Sequence, residues 1–253
     1  MLDQVARIAA AAGEIAAGRA GESFNRWEKT PGNPVCDVDL ELDAFLREQL
    51  RALDPAAGWL SEETLDQSDR IERSRVWVVD PIDGTRDYLR GRSGWAVSVA
   101  LIEERQPILG VLAAPARGEL WTAEAGKGAW RNGTSLRVSD RTELAGARVP
   151  AVQLAAVDAD LVAVPRPNSI ALRIAMVAAG EADLLATLRW GFEWDVAAAA
   201  LIAAEAGALV TGVLGQPLTF NSAAGTAFGL LAATPGIHAA ALERLRERAL
   251  AVV

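Results

Sequence analysis

The sequence has one cysteine, one histidine, one tyrosine and two methionines in 253 residues. Cys36 has no partner, so no internal disulfide can form. His238 is alone in a helix-like stretch near the C-terminus, where a surface or capping position is expected. A Ser-His-Asp triad or a histidine-rich zinc site is thereby disfavoured. Lysine is almost as scarce, present only as Lys29 and Lys127. No run approaches eighteen uninterrupted apolar residues, which speaks against a membrane span. The alanine-rich N-terminal stretch is broken by Arg7, Glu14 and Arg19, unlike a signal peptide, so a cytoplasmic location is the default expectation. Excess positive charge is missing too: the net charge of −8 would repel a phosphate backbone, so no nucleic-acid partner is expected.

What remains for chemistry is carboxylates and arginines, a donor set that favours oxygen-liganded metals. With 51% apolar and 23% charged residues the chain is globular, long enough for one large domain or two small ones. Its centre is Trp77-Val78-Val79-Asp80-Pro81-Ile82-Asp83-Gly84-Thr85. Val76 to Val79 has the β-branched and aromatic composition of a buried strand, expected to end at Asp80-Pro81 because proline cannot continue a ladder. Asp83 follows, then Gly84, which permits close approach of a ligand, and Thr85, which can open a helical turn. Two carboxylates at a strand end suit a hard cation, and the free N–H groups of a helix start suit a phosphate. Asp-Pro and Asp-Gly are equally the residues of ordinary turns.

Around this motif, residues 2 to about 20 read as an amphipathic helix, and Trp27 to Pro34 as a turn-rich loop. A second helix is expected from about Asp37 to Leu53, with Leu40, Phe45, Leu46 and Leu50 on one face. Asp37, Asp39, Glu41 and Asp43 crowd its first turns, as the helix dipole favours. A short strand Gly58-Trp59-Leu60 leads to Ser61-Glu62-Glu63-Thr64. Strands are expected at Trp95–Ile102, Pro107–Ala113 and Glu119–Ala123, with an Asn132-Gly133 hairpin signal after them. Beyond about residue 140 short apolar runs alternate with helices at Ser169–Gly180, Asp195–Ala206 and after Pro235. Antiparallel sheet followed by mixed α/β is therefore expected, divided near residues 1–140 and 141–253.

Four separated segments together resemble the inositol monophosphatase superfamily of magnesium-dependent, lithium-sensitive phosphomonoesterases. The central stretch fits the family's W-[IV]-[IV]-D-P-[IL]-D-G-T signature throughout. Ser61-Glu62-Glu63-Thr64 is similar to G-E-E-S, with serine for glycine. Glu193-Trp194-Asp195-Val196-Ala197-Ala198 with Glu205-Ala206-Gly207 is similar to W-D-x-A-A…E-A-G. Pro34-Val35-Cys36-Asp37-Val38-Asp39 resembles P-V-T-x-A-D, with Cys36 for the usual threonine. The resemblance implies an α+β fold, a layered α-β-α-β-α sandwich, with the active site between its halves. It implies a first Mg²⁺ on Glu62, Asp80 and the Ile82 carbonyl, a second on Asp80, Asp83 and Asp195, and a weaker third near Glu62. Thr85 and Asp39, with Glu62, would orient and deprotonate the attacking water, and the Gly84 and Thr85 N–H groups would hold the phosphate. Lys29 falls where the family often has a mobile-loop lysine. A small phosphorylated metabolite as substrate and a homodimer are implied by the same resemblance.

Within the superfamily, a glutamate seven residues before the Trp-Asp aspartate is usual in inositol-type members, and this chain has Leu188 there. Arg86-Asp87-Tyr88 after the catalytic threonine is similar in order to the Lys-Glu-Phe of bacterial bisphosphate nucleotidases, and Glu193-Trp194-Asp195 is similar to that group. Trp190 and Phe192 could stack on a base or simply fill core. The expectation is a 3′(2′),5′-bisphosphate nucleotidase. An inositol-1-monophosphatase, another sugar or histidinol phosphate phosphatase, or a non-catalytic regulatory homologue are the alternatives.

Overall fold

The strand sequences Val76–Val79 and Val97–Leu101 are apolar at every position but Ser98, so both faces of their sheet must be covered. A computed structural model describes residues 1–20, 25–30 and 33–252 and shows how. In chain order it contains α1 (Leu2–Arg19), β1 (Arg26–Thr30), β2 (Asn33–Cys36), α2 (Asp37–Leu53), β3 (Gly58–Ser61), β4 (Arg75–Asp83) and α3 (Thr85–Tyr88). Next come β5 (Ala96–Glu103), β6 (Gln106–Ala114), β7 (Glu119–Glu124), β8 (Gly128–Arg131), β9 (Thr134–Ser135), β10 (Arg148–Pro150) and β11 (Val162–Val164). The chain ends with α4 (Ile170–Ala178), β12 (Leu184–Phe192), α5 (Glu193–Glu205), β13 (Leu209–Thr211), β14 (Thr226–Ala233) and α6 (Pro235–Leu250).

Strands β3 to β9 form one seven-stranded sheet in sequence order. Its first pair, β3–β4, is parallel and the rest are antiparallel. Alternation along β4 sends Trp77 and Val79 to one face, where α1 and α2 pack, and Val76 and Val78 to the other, beneath α4 and α5. A smaller sheet, ordered β12-β14-β13, covers the far side of α4 and α5. Helix α6 closes the outer face of that sheet on Leu184, Leu231 and Ala233. The result is the expected α-β-α-β-α sandwich. Its middle layer sits close to the large sheet: a Cβ on Gly110 would lie 2.7 Å from the Ala198 carbonyl oxygen of α5. All nine residues of α4 are buried, as a helix between two sheets requires.

Several local expectations differ from the structure. Strand β4 does not stop at Pro81. A bulge between Asp80 and Asp83 accommodates the missing N–H, and pairing resumes at Asp83 with Ala96. The Trp27–Pro34 segment, expected as a loop, contains the paired strands β1 and β2, while Pro31 and Gly32 lie outside the described residues. Strand β12 runs from Leu184 to Phe192, up to the start of α5, with a register shift between Thr187 and Trp190. His238 is buried rather than at the surface, because α6 lays it against β13, where Nε2 meets Thr211 Oγ1 at 3.0 Å. No described helix is long and apolar enough to cross a membrane.

Candidate metal centre

The parallel register of β3 and β4 pairs Ser61 with Val79, so the next residues, Glu62 and Asp80, stand side by side. Glu62 N still donates to Val79 O at 3.3 Å, extending the ladder by one bond. Asp195 arrives from the other half of the chain, at the third position of α5. One oxygen from each of Glu62, Asp80 and Asp195 lies within 4.8 Å of the others. Burial, together with Glu62, Asp83 and Asp195, pushes the Asp80 carboxyl well above its ordinary range, and burial with Asp83 and Glu62 does the same to Asp195. Hard, converging, mutually repelling oxygens fit a divalent cation such as Mg²⁺.

Asp83, the remaining acid expected there, turns toward α4. It accepts from Ser169 Oγ at 2.5 Å, Ala171 N at 2.7 Å and Ile170 N at 3.3 Å. A carboxylate at a helix N-terminus is favoured by the orphan N–H groups and the dipole. Burial nonetheless lifts Asp83 to about 6 against those hydrogen bonds. The Asp80 side chain accepts Ile82 N at 2.9 Å, and the Ile82 carbonyl accepts the Thr85 hydroxyl at 3.0 Å. Gly84 has φ +96°, and a Cβ there would lie 2.7 Å from Gly94 O and 2.8 Å from Ser169 N. Only glycine makes this turn.

Asp39 sits at the third position of α2 and reaches back to Cys36, accepting its N–H at 2.8 Å and its thiol at 3.0 Å. Burial and the Asp39 carboxylate push the thiol up to about 12, which keeps it a donor, and burial raises Asp39 itself to about 6. Among the described residues no hydrogen bond joins Asp39 to Thr85. Lys29 Nζ bridges Glu63 at 2.6 Å, Glu62 Oε1 at 3.3 Å and the Glu62 carbonyl at 3.2 Å.

Three supports were not anticipated from sequence. Asp43 accepts the hydroxyls of both Ser61 and Thr64, fixing the loop that carries Glu62. Its signal was available: serine where the related segment has glycine supplies a donor. The second support is a chain of buried charge. Glu193, fully buried, accepts Asn221 N at 2.6 Å and Ser222 N at 2.9 Å. Arg70 donates to Asn221 Oδ1 at 2.6 Å, to Ser222 O at 2.9 Å and through two nitrogens to Asp66. This ties the segment after Glu62 to the start of α5, two residues from Asp195. The third is Asp87 and Tyr88, which face inward: Asp87 accepts Asn168 N at 3.1 Å, and Tyr88 donates to Ala16 O at 3.0 Å. Of the Arg86-Asp87-Tyr88 triplet only Arg86 lines the cleft.

That cleft, about 1210 Å³, has Glu62, Asp80, Asp83, Thr85 and Asp195 on its floor. Leu188 lines it, as do Trp190 and Phe192, which are 63% and 44% exposed and so are not core. Trp190 packs edge-on to Phe228, and Phe192 stacks on Trp194 with ring centroids 4.5 Å apart.

The sequence profile of the inositol monophosphatase family matches residues 1–251. The chain is 37% identical over 205 residues to the Nus factor SuhB of Xylella fastidiosa, covering 75% of this chain and 72% of that protein. It is 32% identical over 235 residues to the 3′(2′),5′-bisphosphate nucleotidase CysQ of Aggregatibacter actinomycetemcomitans, covering 87% of each. Its fold is similar to that of the solved IMPase of Thermotoga maritima, with a TM-score of 0.84 at 26% identity, over 100% of this chain and 99% of the other.

Proposed function

This chain belongs to the inositol monophosphatase family, and from that premise we propose that it is a Mg²⁺-dependent phosphomonoesterase acting on a 3′,5′-bisphosphorylated nucleoside. The observation that carries the reading is the meeting of Glu62, Asp80 and Asp195 within 4.8 Å, from three distant segments. Glu62, Asp80 and the Ile82 carbonyl would hold one ion, and Asp80, Asp83 and Asp195 a second. On this reading residues 1–140 supply all the ligands but Asp195, which comes from 141–253. When bound, such ions offset the negative charge of the ester and make a water molecule more acidic.

The chain's own groups do the rest. Glu62 and the Thr85 hydroxyl, the latter fixed by its bond to Ile82 O, orient the attacking water. Asp39, raised to about 6 by burial, would with Thr85 and Glu62 help to deprotonate that water. The Gly84 and Thr85 N–H groups face the phosphate at the start of α3, where no intrahelical acceptor is available to them. Leu188 in the cleft wall offers no acceptor to a ring hydroxyl of an inositol, while the exposed rings of Trp190 and Phe192 offer stacking surface for a base. A homodimer and a cytoplasmic location go with this proposal.

Phosphate release from a generic monoester with and without Mg²⁺ tests the enzyme class. Comparing kcat/KM for adenosine 3′,5′-bisphosphate and inositol 1-phosphate tests the substrate. A preference of about tenfold for the inositol ester, some 1.4 kcal/mol, would reverse the assignment and return the chain to the inositol-type branch.

A further inference from the structure

Three arginines line the cleft beside its acidic floor. Arg166 lies in the segment before α4, Arg173 on α4 and Arg189 on β12, and all three line the same cavity. Among the described residues none of the three forms an ion pair with a carboxylate. Arg173 is 6% exposed, an unusual place for a guanidinium without an acid. It is pinned by backbone carbonyls, donating Nε to Ser169 O at 3.1 Å and Nη2 to Asn168 O at 3.0 Å, which leaves Nη1 without a protein acceptor. Burial and the nearby charge of Arg166 and Arg189 pull Arg173 down to about 10, with Asp83 opposing them. Like charges have thus been gathered in a cavity; of its acids, Asp158 is paired with Arg248, and Asp83 and Asp195, which act on Arg173, belong to the floor.

We infer that Arg166, Arg173 and Arg189 form a second anion subsite, which holds a phosphate group of the substrate other than the one being hydrolysed. This rests on the phosphatase reading above. Once the floor carboxylates are engaged by cations they no longer balance the wall, and the arginines face the cavity as net positive charge. Guanidinium groups match phosphate oxygens bidentately and are weakly hydrated, so a doubly ionised phosphate is the ligand they suit best. The cavity of about 1210 Å³ exceeds the roughly 300–1,000 Å³ usual for small-ligand sites, leaving room for two phosphates and the group that joins them.

The experiment uses matched ester pairs that differ only in the second phosphate. The pairs are adenosine 3′,5′-bisphosphate with adenosine 3′-monophosphate, and fructose 1,6-bisphosphate with fructose 1-phosphate. In the unaltered protein the bis-to-mono ratio of kcat/KM should be about tenfold or more in at least one pair, the range of a charged hydrogen bond. In Arg189→Gln and Arg166→Gln, both exposed positions that tolerate change, that ratio should fall by about tenfold, with the loss in KM. Arg173→Lys, which keeps charge but not the fork, should lower it less. A ratio near one in both pairs, or a ratio that neither glutamine variant changes, overturns the subsite. A ratio carried only by the fructose pair supports the subsite and removes the nucleoside reading. Titration calorimetry of the two adenosine esters in Ca²⁺ gives the same ratio without turnover. A protein that hydrolysed nothing would sink the phosphatase reading, and calorimetry would still decide the subsite.

Discussion

Two clusters of buried charge lie on either side of the start of α5, and they are built on opposite terms. Around Glu193 every charge has its answer inside the protein: two backbone N–H groups on the carboxylate, and Arg70 divided among Asp66, Asn221 and Ser222. At Glu62, Asp80 and Asp195 acids meet acids, with Lys29 answering Glu62 alone of the three, and burial with repulsion raises Asp80 and Asp195. The first cluster spends its charge on geometry. The second leaves that of Asp80 and Asp195 unanswered, and on the proposed reading would meet a cation there.

Substitutions separate the two most sharply. Asp80→Asn should reduce Mg²⁺-dependent phosphate release by about 10³-fold, the upper range for loss of one electrostatic stabiliser, yet raise the Tm of the metal-free protein by relieving repulsion. A fall in that Tm would place Asp80 among the structural charges. Glu193→Gln should do the reverse, lowering stability by about 3 kcal/mol, as removal of one buried partner does, in a urea melt. Were Glu193→Gln as stable as the original chain, Asp195 would be positioned by something else.

Thr85→Ala is expected to lower kcat by about 10²-fold with little change in the Mg²⁺ concentration needed for half activity. Asp39→Asn should match it in kcat with little change in Tm, since the amide oxygen can still accept the Cys36 N–H. If the two variants had unaltered turnover, Thr85 would be only a turn residue and Asp39 only a helix cap.

The smallest effect is in pH. Asp39 and Asp83 rise from 3.8 to about 6 on folding. A raised folded value means a stabilising contribution that is complete below 3.8 and is lost as pH climbs through about 6. On the proposed reading Mg²⁺ would bind the ionised Asp83 and offset its share of that loss. The Tm gain on adding Mg²⁺ should therefore be larger at about pH 8 than at about pH 5, and a gain independent of pH would mean that the acids do not bind the ion.

The acidic floor was legible because each of its acids sits in a short local pattern: a strand followed by Asp80, paired acids at Glu62, and a helix start at Asp195. The paired cluster was not, since Arg70 and Asn221 are 151 residues apart and neither stands in any pattern. The arginine wall was hidden for the same reason, being three single residues from three elements. Misread local structure has its own cause. Pro81 signals a strand end, but a bulge lets β4 resume at Asp83, and the shift between Thr187 and Trp190 conceals the period of β12. Asp87 and Tyr88 matched a substrate-linked pattern and proved to face inward, so burial, which pattern does not reveal, decides their role.

Helix α4 is fastened to the floor at its first turn, where Asp83 takes its N–H groups, and the same turn holds the Arg173 guanidinium on its carbonyls. It therefore works as a gauge block. The distance from acid to guanidinium is set by one rigid turn and not by the long connection from Ala151 to Asn168. Ahead of Arg166 that connection can lengthen, shorten or drift in sequence without detuning the spacing between Asp83 and Arg173. A change in the wholly buried body of α4, such as at Met176, would be read at both ends of a substrate that the side chain never touches.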